Sequence, residues 1–304
     1  MTQLFHSNGK LLITGEYAVL DGALSFALPT VYGQTLKVTE NKSGKLLWKS
    51  LGQTGNVWFE WVFDMDAPIT AQKNVLKNPT ANTLAKLLDE AKRLNPLFMA
   101  NVGGLSIETK LGFPREWGLG SSSTLINNIA QWAKIDAYRL LWNAFSGSGY
   151  DIACAQHDTP ILYRLNAGKP EVQPIPFDPP FKKELNFIYL NKKQNSREGI
   201  IGYRAREFDK TKFIEDITSL SKKIVQTTTR SDFDATVLEH EKLVSQVLGM
   251  PMVKEAKFSD FTGTIKSLGA WGGDFILASG GIDPIGYFNK KGYDVVIPYS
   301  KLIL

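Results

Sequence analysis

REWGLGSSST, residues 115–124, sets two glycines, three serines and a threonine immediately ahead of a helical pattern. Glycines let a backbone come close to a ligand, and small hydroxyls add donors. The helix that follows supplies unpaired N–H groups and the positive end of its dipole. That combination suits phosphate. The alternative is a plain helix cap, with Ser121 or Ser122 as the capping residue. The stretch alone leaves both readings open. It is not a Walker A loop, since neither NGKLL nor AGKPE supplies G-x-x-x-x-G-K-[ST], and no G-x-G-x-x-G opens a helix here. No G-x-S-x-G occurs, which disfavours a serine hydrolase of that type.

The chain around this stretch has 304 residues, 43% hydrophobic and 21% charged, as in an ordinary globular protein. Length suggests about two domains at roughly 150 residues each. The single cysteine, Cys154, cannot form an internal disulfide, which fits a reducing cytosol, and it rules out a cysteine-rich zinc site. The N-terminus lacks a secretory pattern, and no run of about 18 apolar residues is present. The expectation is a cytoplasmic protein, monomer or homodimer, with no membrane and no nucleic acid as partner. Net charge is +5, but the basic residues are scattered and no stretch resembles a basic arm. His6, His157 and His240 are the three histidines, and none belongs to H-E-x-x-H.

PIPFDPPFKKE (174–184) carries Pro174, Pro176, Pro179 and Pro180 and reads as a stiff connection. It predicts domains over 1–180 and 181–304. In the first, GKLLITGEYAVL predicts a strand followed by a turn or helix start, and SFALPTVYGQTLKVTEN, KLLWKS and GGLSIETKL predict strands. TANTLAKLLDEAKRL predicts a helix through Leu84, Leu87, Leu88 and Ala91, capped by Thr80 or Asn82. STLINNIAQWAKI predicts another through Leu125, Ile129 and Trp132, and a third spans about 136–144. In the second domain LNFIYLN, DFILASGG and YDVVIPYS predict strands. Helices run through Phe213, Ile217, Leu220 and Ile224, and through Val237, Leu243, Val244 and Val247 up to Gly249. The pattern suggests a small α+β layer with its sheet covered on one side.

Two further stretches flank the glycine–serine loop. SNGKLLITGEYAVLDG (7–22) opens the chain and FSGSGYDIACA (145–155) follows the second helix after the loop. IKSLGAWGGDF (265–275) comes late. In this order the four segments resemble the signatures of the GHMP kinases, the family of galactokinase, homoserine kinase, mevalonate kinase and phosphomevalonate kinase. The resemblance runs from residue 9 to about 278. GEY in place of G-E-H, together with GSGYD and WGGD, is similar to the phosphomevalonate kinase branch, close to mevalonate kinase.

The resemblance implies a two-domain α+β fold, with an N-terminal half like ribosomal protein S5 domain 2 and a ferredoxin-like C-terminal half. It implies an ATP- and Mg²⁺-dependent kinase whose small anionic acceptor is phosphomevalonate or mevalonate, in isoprenoid precursor synthesis. It places Gly118, Leu119, Gly120, Ser121, Ser122 and Ser123 around the ATP phosphates, with the Ser122 hydroxyl reaching Mg²⁺. Asp151 matches the acid that takes or orients the acceptor proton, and Lys10 the lysine that holds it and offsets phosphoryl charge. Glu16, Tyr17, Ser196, Gly269 and Ala270 match acceptor contacts. Three departures stand out. Glu116 and Trp117 precede the loop where glycines are common. Leu140 occupies the position of the magnesium-binding Glu of mevalonate kinases. Trp271 stands where glycine is usual, which predicts a reshaped acceptor pocket. A sugar- or homoserine-type acceptor, a decarboxylating relative, and an inactive nucleotide- or metabolite-binding homologue are the alternatives.

Overall fold

The computed structural model describes residues 2–65, 67–194 and 196–304. Strands β1 (Thr2–Thr14), β2 (Ser25–Glu40), β3 (Lys45–Leu51) and β4 (Val57–Asp64) precede helix α1 (Pro79–Leu94) and strand β5 (Leu105–Leu111). Helices α2 (Ser121–Ala133), α3 (Ala137–Ala144) and α4 (Tyr150–Gln156) follow, then strands β6 (Ile161–Asn166) and β7 (Lys169–Pro174). Strand β8 (Leu185–Tyr189) leads to α5 (Ser196–Arg204), α6 (Lys210–Ile224), α7 (Arg230–Leu248) and α8 (Val253–Lys257). Strands β9 (Thr264–Ser267) and β10 (Phe275–Ser279), helix α9 (Pro284–Lys290), strand β11 (Val296–Pro298) and helix α10 (Tyr299–Leu302) complete the chain.

The larger sheet has seven strands in the order β4-β3-β5-β2-β6-β7, with β1 paired to β2. The smaller has four in the order β11-β8-β10-β9, every neighbouring pair antiparallel. Numbered within itself, that sheet runs 4-1-3-2, the arrangement of a split βαβ, ferredoxin-like layer. Helices lie between its first and second strands and between its third and fourth.

Two compact units divide the chain. The first comprises the residues up to Gly9, Tyr32–Arg115 and Gly120–Gln156; the second comprises Lys10–Val31, Glu116–Leu119 and His157–Leu304. The proline-rich stretch 174–184 lies inside the second unit.

In the first unit, α1 and α2 bury Leu84, Leu87, Leu88, Ile126 and Ile129 against Leu36, Trp48, Phe63 and Ile107 of the sheet. Each such side chain contributes about 1.5–3 kcal/mol on leaving water. Asn78, rather than Thr80 or Asn82, caps α1, accepting the N–H groups of Thr80 and Ala81 at 3.1 and 3.0 Å. Pro79 explains the earlier start, since its fixed φ suits the first helical position. In the second unit Tyr17, Tyr203, Phe213, Ile217, Val244 and Trp271 form one cluster. Ile188, Phe258, Phe261, Ile276 and Phe288 form another. The predicted strand YDVVIPYS shortens to Val296–Pro298, because Pro298 precedes the first turn of α10 and cannot donate to a ladder.

Candidate active site

The glycine–serine stretch splits between the two units at Leu119–Gly120. In the first unit α2 begins behind Gly120, whose φ of 91° only glycine adopts readily. No side chain caps α2 among the described residues. The hydroxyls point elsewhere: Ser123 Oγ and Thr124 Oγ1 donate back to the Gly120 carbonyl at 2.9 and 3.0 Å. Ser122 is exposed on the first turn and Ser121 half-buried. The plain-cap reading of Ser121 and Ser122 therefore fails, and the first-turn N–H groups face no capping oxygen from either.

A buried polar network holds this end of the helix. Thr124 Oγ1 lies 2.7 Å from Gln34 Oε1, and Asn128 Nδ2 donates to the Gln34 carbonyl at 2.9 Å. Ser7 Oγ donates to Asn128 Oδ1 and accepts from Asn127 Nδ2, both at 2.8 Å. Asp151 sits in the first turn of α4, half-buried, and α4 packs on α2. Its Oδ1 accepts the Ile152 N–H at 3.1 Å. Leu140 lies fully buried in the core of the same unit and offers no oxygen.

In the second unit Lys10 meets the other half of the stretch. Its N–H donates to the Leu119 carbonyl at 3.0 Å and its Nζ to the Gly118 carbonyl at 2.7 Å. Gly118 has φ 66°, and its Cα lies flat against Asp274: a Cβ there would stand 2.6 Å from the Asp274 carboxyl carbon. Leu119 is buried. Trp117 stacks edge-on against Phe275 at 5.5 Å and lies 6.4 Å from Tyr189. This accounts for the indole ahead of the glycines: it docks the segment on β8 and β10. Burial raises the Tyr189 phenol, helped by the charges of Asp274 and Glu116.

The acceptor-contact candidates divide. The Tyr17 hydroxyl donates to the Ala270 carbonyl at 2.9 Å, and its ring stacks on Tyr203 at 5.4 Å. Tyr17 carries φ 61°, a left-handed value uncommon for a bulky residue. Burial, then the Glu16 charge, pushes its hydroxyl up to about 12. Gly269 lies beside Asp274. Ser196 starts α5, and its side chain lies outside the described residues. Trp271 is fully buried with Tyr17, Tyr203 and Phe213, at φ 56°.

Glu16 belongs to a buried cluster that motif reading missed. Lys266 Nζ donates to Glu16 Oε1 in a short contact, to Glu241 Oε1 at 2.9 Å and to the Ser267 carbonyl at 2.5 Å. Ser267 Oγ donates to Glu241 Oε2 at 2.9 Å. His240 Nε2 accepts the Gly15 N–H at 3.0 Å, which makes the ring neutral, and stands 3.4 Å from Glu16 Oε2. That contact is therefore not an ion pair. Burial pulls His240 well below its usual range, reinforced by Lys266. Burial also raises Glu16 to about 7, against the lowering pull of Lys266. Burial opposes the Lys266 charge, but the two carboxylates outweigh it and raise the ammonium. The cluster ties the turn at Gly15–Glu16 to α7 and β9.

No family profile and no curated protein matches the sequence. Solved structures do match. The chain superposes on the mevalonate kinase of Methanococcus jannaschii with a TM-score of 0.72 at 14% identity, over 98% of this chain and 97% of that one. It superposes on the Streptococcus pneumoniae phosphomevalonate kinase, in complex with phosphomevalonate and AMPPNP, with a TM-score of 0.71 at 16% identity, over 99% and 98%. The fold is that of the GHMP kinases. A Lactococcus lactis galactokinase complexed with galactose shares the GHMP fold at a TM-score of 0.67 and 14% identity, over 95% of this chain and 88% of that one. The GHMP fold thus carries unlike acceptors, and side chains must choose between them.

Proposed function

We propose that this protein is an ATP-dependent small-molecule kinase whose acceptor is phosphomevalonate or mevalonate. The observation that carries the reading is the glycine–serine stretch in its structural setting. Two left-handed glycines, Gly118 and Gly120, lead into a helix whose first turn lacks a side-chain cap, and the Lys10 ammonium rests on the Gly118 carbonyl. Backbone N–H groups at such a helix start bind anions.

Phosphoryl transfer is mostly positioning and charge stabilisation. Gly118, Leu119, Gly120, Ser121, Ser122 and Ser123 hold the triphosphate. The acceptor oxygen forms a bond to the γ-phosphorus as the bond to the β–γ bridging oxygen breaks and ADP leaves. The acceptor proton passes to Asp151. Lys10 moves from the Gly118 carbonyl to the transferred group and offsets its charge. Tyr17, Gly269, Ala270 and Ser196 shape the acceptor side, and Glu16 serves it by fixing the turn that carries Tyr17.

Mg²⁺ fits this chain in a limited way: the exposed Ser122 hydroxyl can supply one oxygen, while Leu140 supplies none. An ion carried by the nucleotide phosphates and water needs little more. When bound, it neutralises charge on the β- and γ-phosphates. The functional halves are residues 1–180 for nucleotide and 181–304 for the second layer.

The test is a panel of acceptors, with ADP release from ATP and Mg²⁺ as readout. Turnover with mevalonate or phosphomevalonate supports the reading. Turnover with a sugar or homoserine alone keeps the kinase and replaces the acceptor. Binding of ATP without turnover on any acceptor supports an inactive homologue, the reading favoured by Leu140.

A further inference from the structure

Asp274 is an awkward residue for its place. Its φ of 52° is left-handed, a conformation strained for an L-residue. Its half-buried carboxylate is raised in pKa by desolvation. It also faces a loop read here as a phosphate cradle, where negative charge repels. Glycine would remove all three difficulties.

What the residue does locally explains why a carboxylate is there. Its main chain joins two neighbours, the N–H donating to the Lys192 carbonyl and the carbonyl accepting from Leu190 N–H, both at 2.7 Å. Its Oδ1 accepts the Gln194 N–H at 3.1 Å. The same carboxylate is wedged against Gly118 and lies near Gly269, where an added Cβ would stand 3.8 Å from its Oδ2. Its desolvation is countered by the Gln194 N–H and then by the charges of Lys10 and Lys193. Lys10 in turn donates to the carbonyl of the glycine on which the carboxylate rests.

We propose that Asp274 is a positioning residue: its negative charge holds the Lys10 ammonium at the Gly118 carbonyl and its wedge sets the height of the 116–119 segment, so that Lys10 stands ready for the transferred phosphate. The kinetic half of this inference rests on the kinase reading above; the effect on Lys10 does not. The neighbouring aromatic contact of Trp117 with Phe275 fixes the same segment one residue earlier.

Asp274→Asn keeps the shape and an acceptor for Gln194 N–H and removes only the charge. Asp274→Gly suits the left-handed backbone and serves if the asparagine variant folds poorly. Two readouts are taken on the full-length protein. The first is trace acylation of Lys10 by an amine-reactive ester, followed by mass spectrometry of its peptide and normalised to exposed lysines. The second is ADP release at saturating ATP and acceptor. Lys10 labelling is expected to change at least threefold in whichever variant melts within about 2 °C of wild type. Turnover number should fall at least tenfold while the KM for ATP moves less than threefold. Unchanged Lys10 labelling overturns the proposal whatever the kinetics show. Changed labelling with unchanged turnover number also overturns it. If the wild type turns over no acceptor, the kinase reading fails, and labelling alone decides whether Asp274 positions Lys10.

Discussion

The Lys10 ammonium donates to the Gly118 carbonyl across 2.7 Å, between residues 108 positions apart in the chain. The contact joins the first signature segment to the glycine–serine loop within one compact unit. On the proposed kinase reading, a phosphate would take over this hydrogen bond. Lys10→Met is therefore expected to lower kcat/KM for ATP by about 100-fold or more, the usual scale for losing a charge that acts on a developing transition state. The melting temperature should change little, because Lys10 is only half-buried. Loss of activity in step with loss of fold would contradict the assignment.

Gly118 has no room for a methyl group. An added Cβ would lie 2.6 Å from the Asp274 carboxyl carbon, on a backbone at φ 66°. Gly118→Ala should destabilise by about 2 kcal/mol or more in urea denaturation, from strain and overpacking together. Asp274→Gly removes the clashing carboxylate, so the same alanine should be less harmful in that background. Additive effects in the double variant would show that the two residues do not touch.

Glu16 makes stability depend on pH in a defined direction. Its folded pKa, raised from 4.5 to about 7 by burial, favours the protonated acid in the native state. That contribution is complete below the unfolded value and is lost as pH rises through about 7. His240, pulled down by burial, works in the opposite sense, losing its contribution as pH falls below 6.5. Glu16→Gln isolates the first effect. Wild type should gain stability on the variant as pH falls from 8 to 4.5, because the folded state then takes up a proton that the unfolded chain does not. A stability difference flat across that window would refute the buried-carboxylate account.

Trp271 tests whether the departure from the family pattern concerns packing or the acceptor. It is fully buried with Tyr17 and Tyr203, and its indole N–H has no partner among the described residues. Trp271→Ala should cost about 3–5 kcal/mol by cavity formation, read by chemical denaturation. Trp271→Phe should recover most of that stability and leave acceptor preference unchanged. A changed acceptor preference at unchanged stability would return Trp271 to the acceptor site.

The strand through Leu11–Thr14 and the amphipathic helices were legible because each rests on a local rule, hydrophobic period, whereas the N-cap of α1 fell to Asn78 and that of α2 to Gly120. The helix over 234–249 shows the limit. Val237 and Val244 are buried as periodicity predicts, yet Leu243 and Val247 are only partly so, while His240 and Glu241 are fully buried. Their partners, Glu16 and Lys266, come from distant segments, and no window of sequence brings the four together. Asp274 escaped for the same reason: WGGD entered only as part of a family resemblance, and only the fold sets its carboxylate against Gly118. Asn127 and Asn128 likewise interrupt the apolar face of α2 because Ser7 and Gln34 lie across from them.

The proposed reaction is phosphoryl transfer from ATP to a mevalonate-type acceptor. The direct measurement is ADP release from ATP and Mg²⁺ with mevalonate and phosphomevalonate offered separately, beside Asp151→Asn. Turnover with one of the two, lost by at least 100-fold in the variant at unchanged melting temperature, is the predicted result. Absence of turnover with either acceptor, in protein shown to bind ATP, would contradict it.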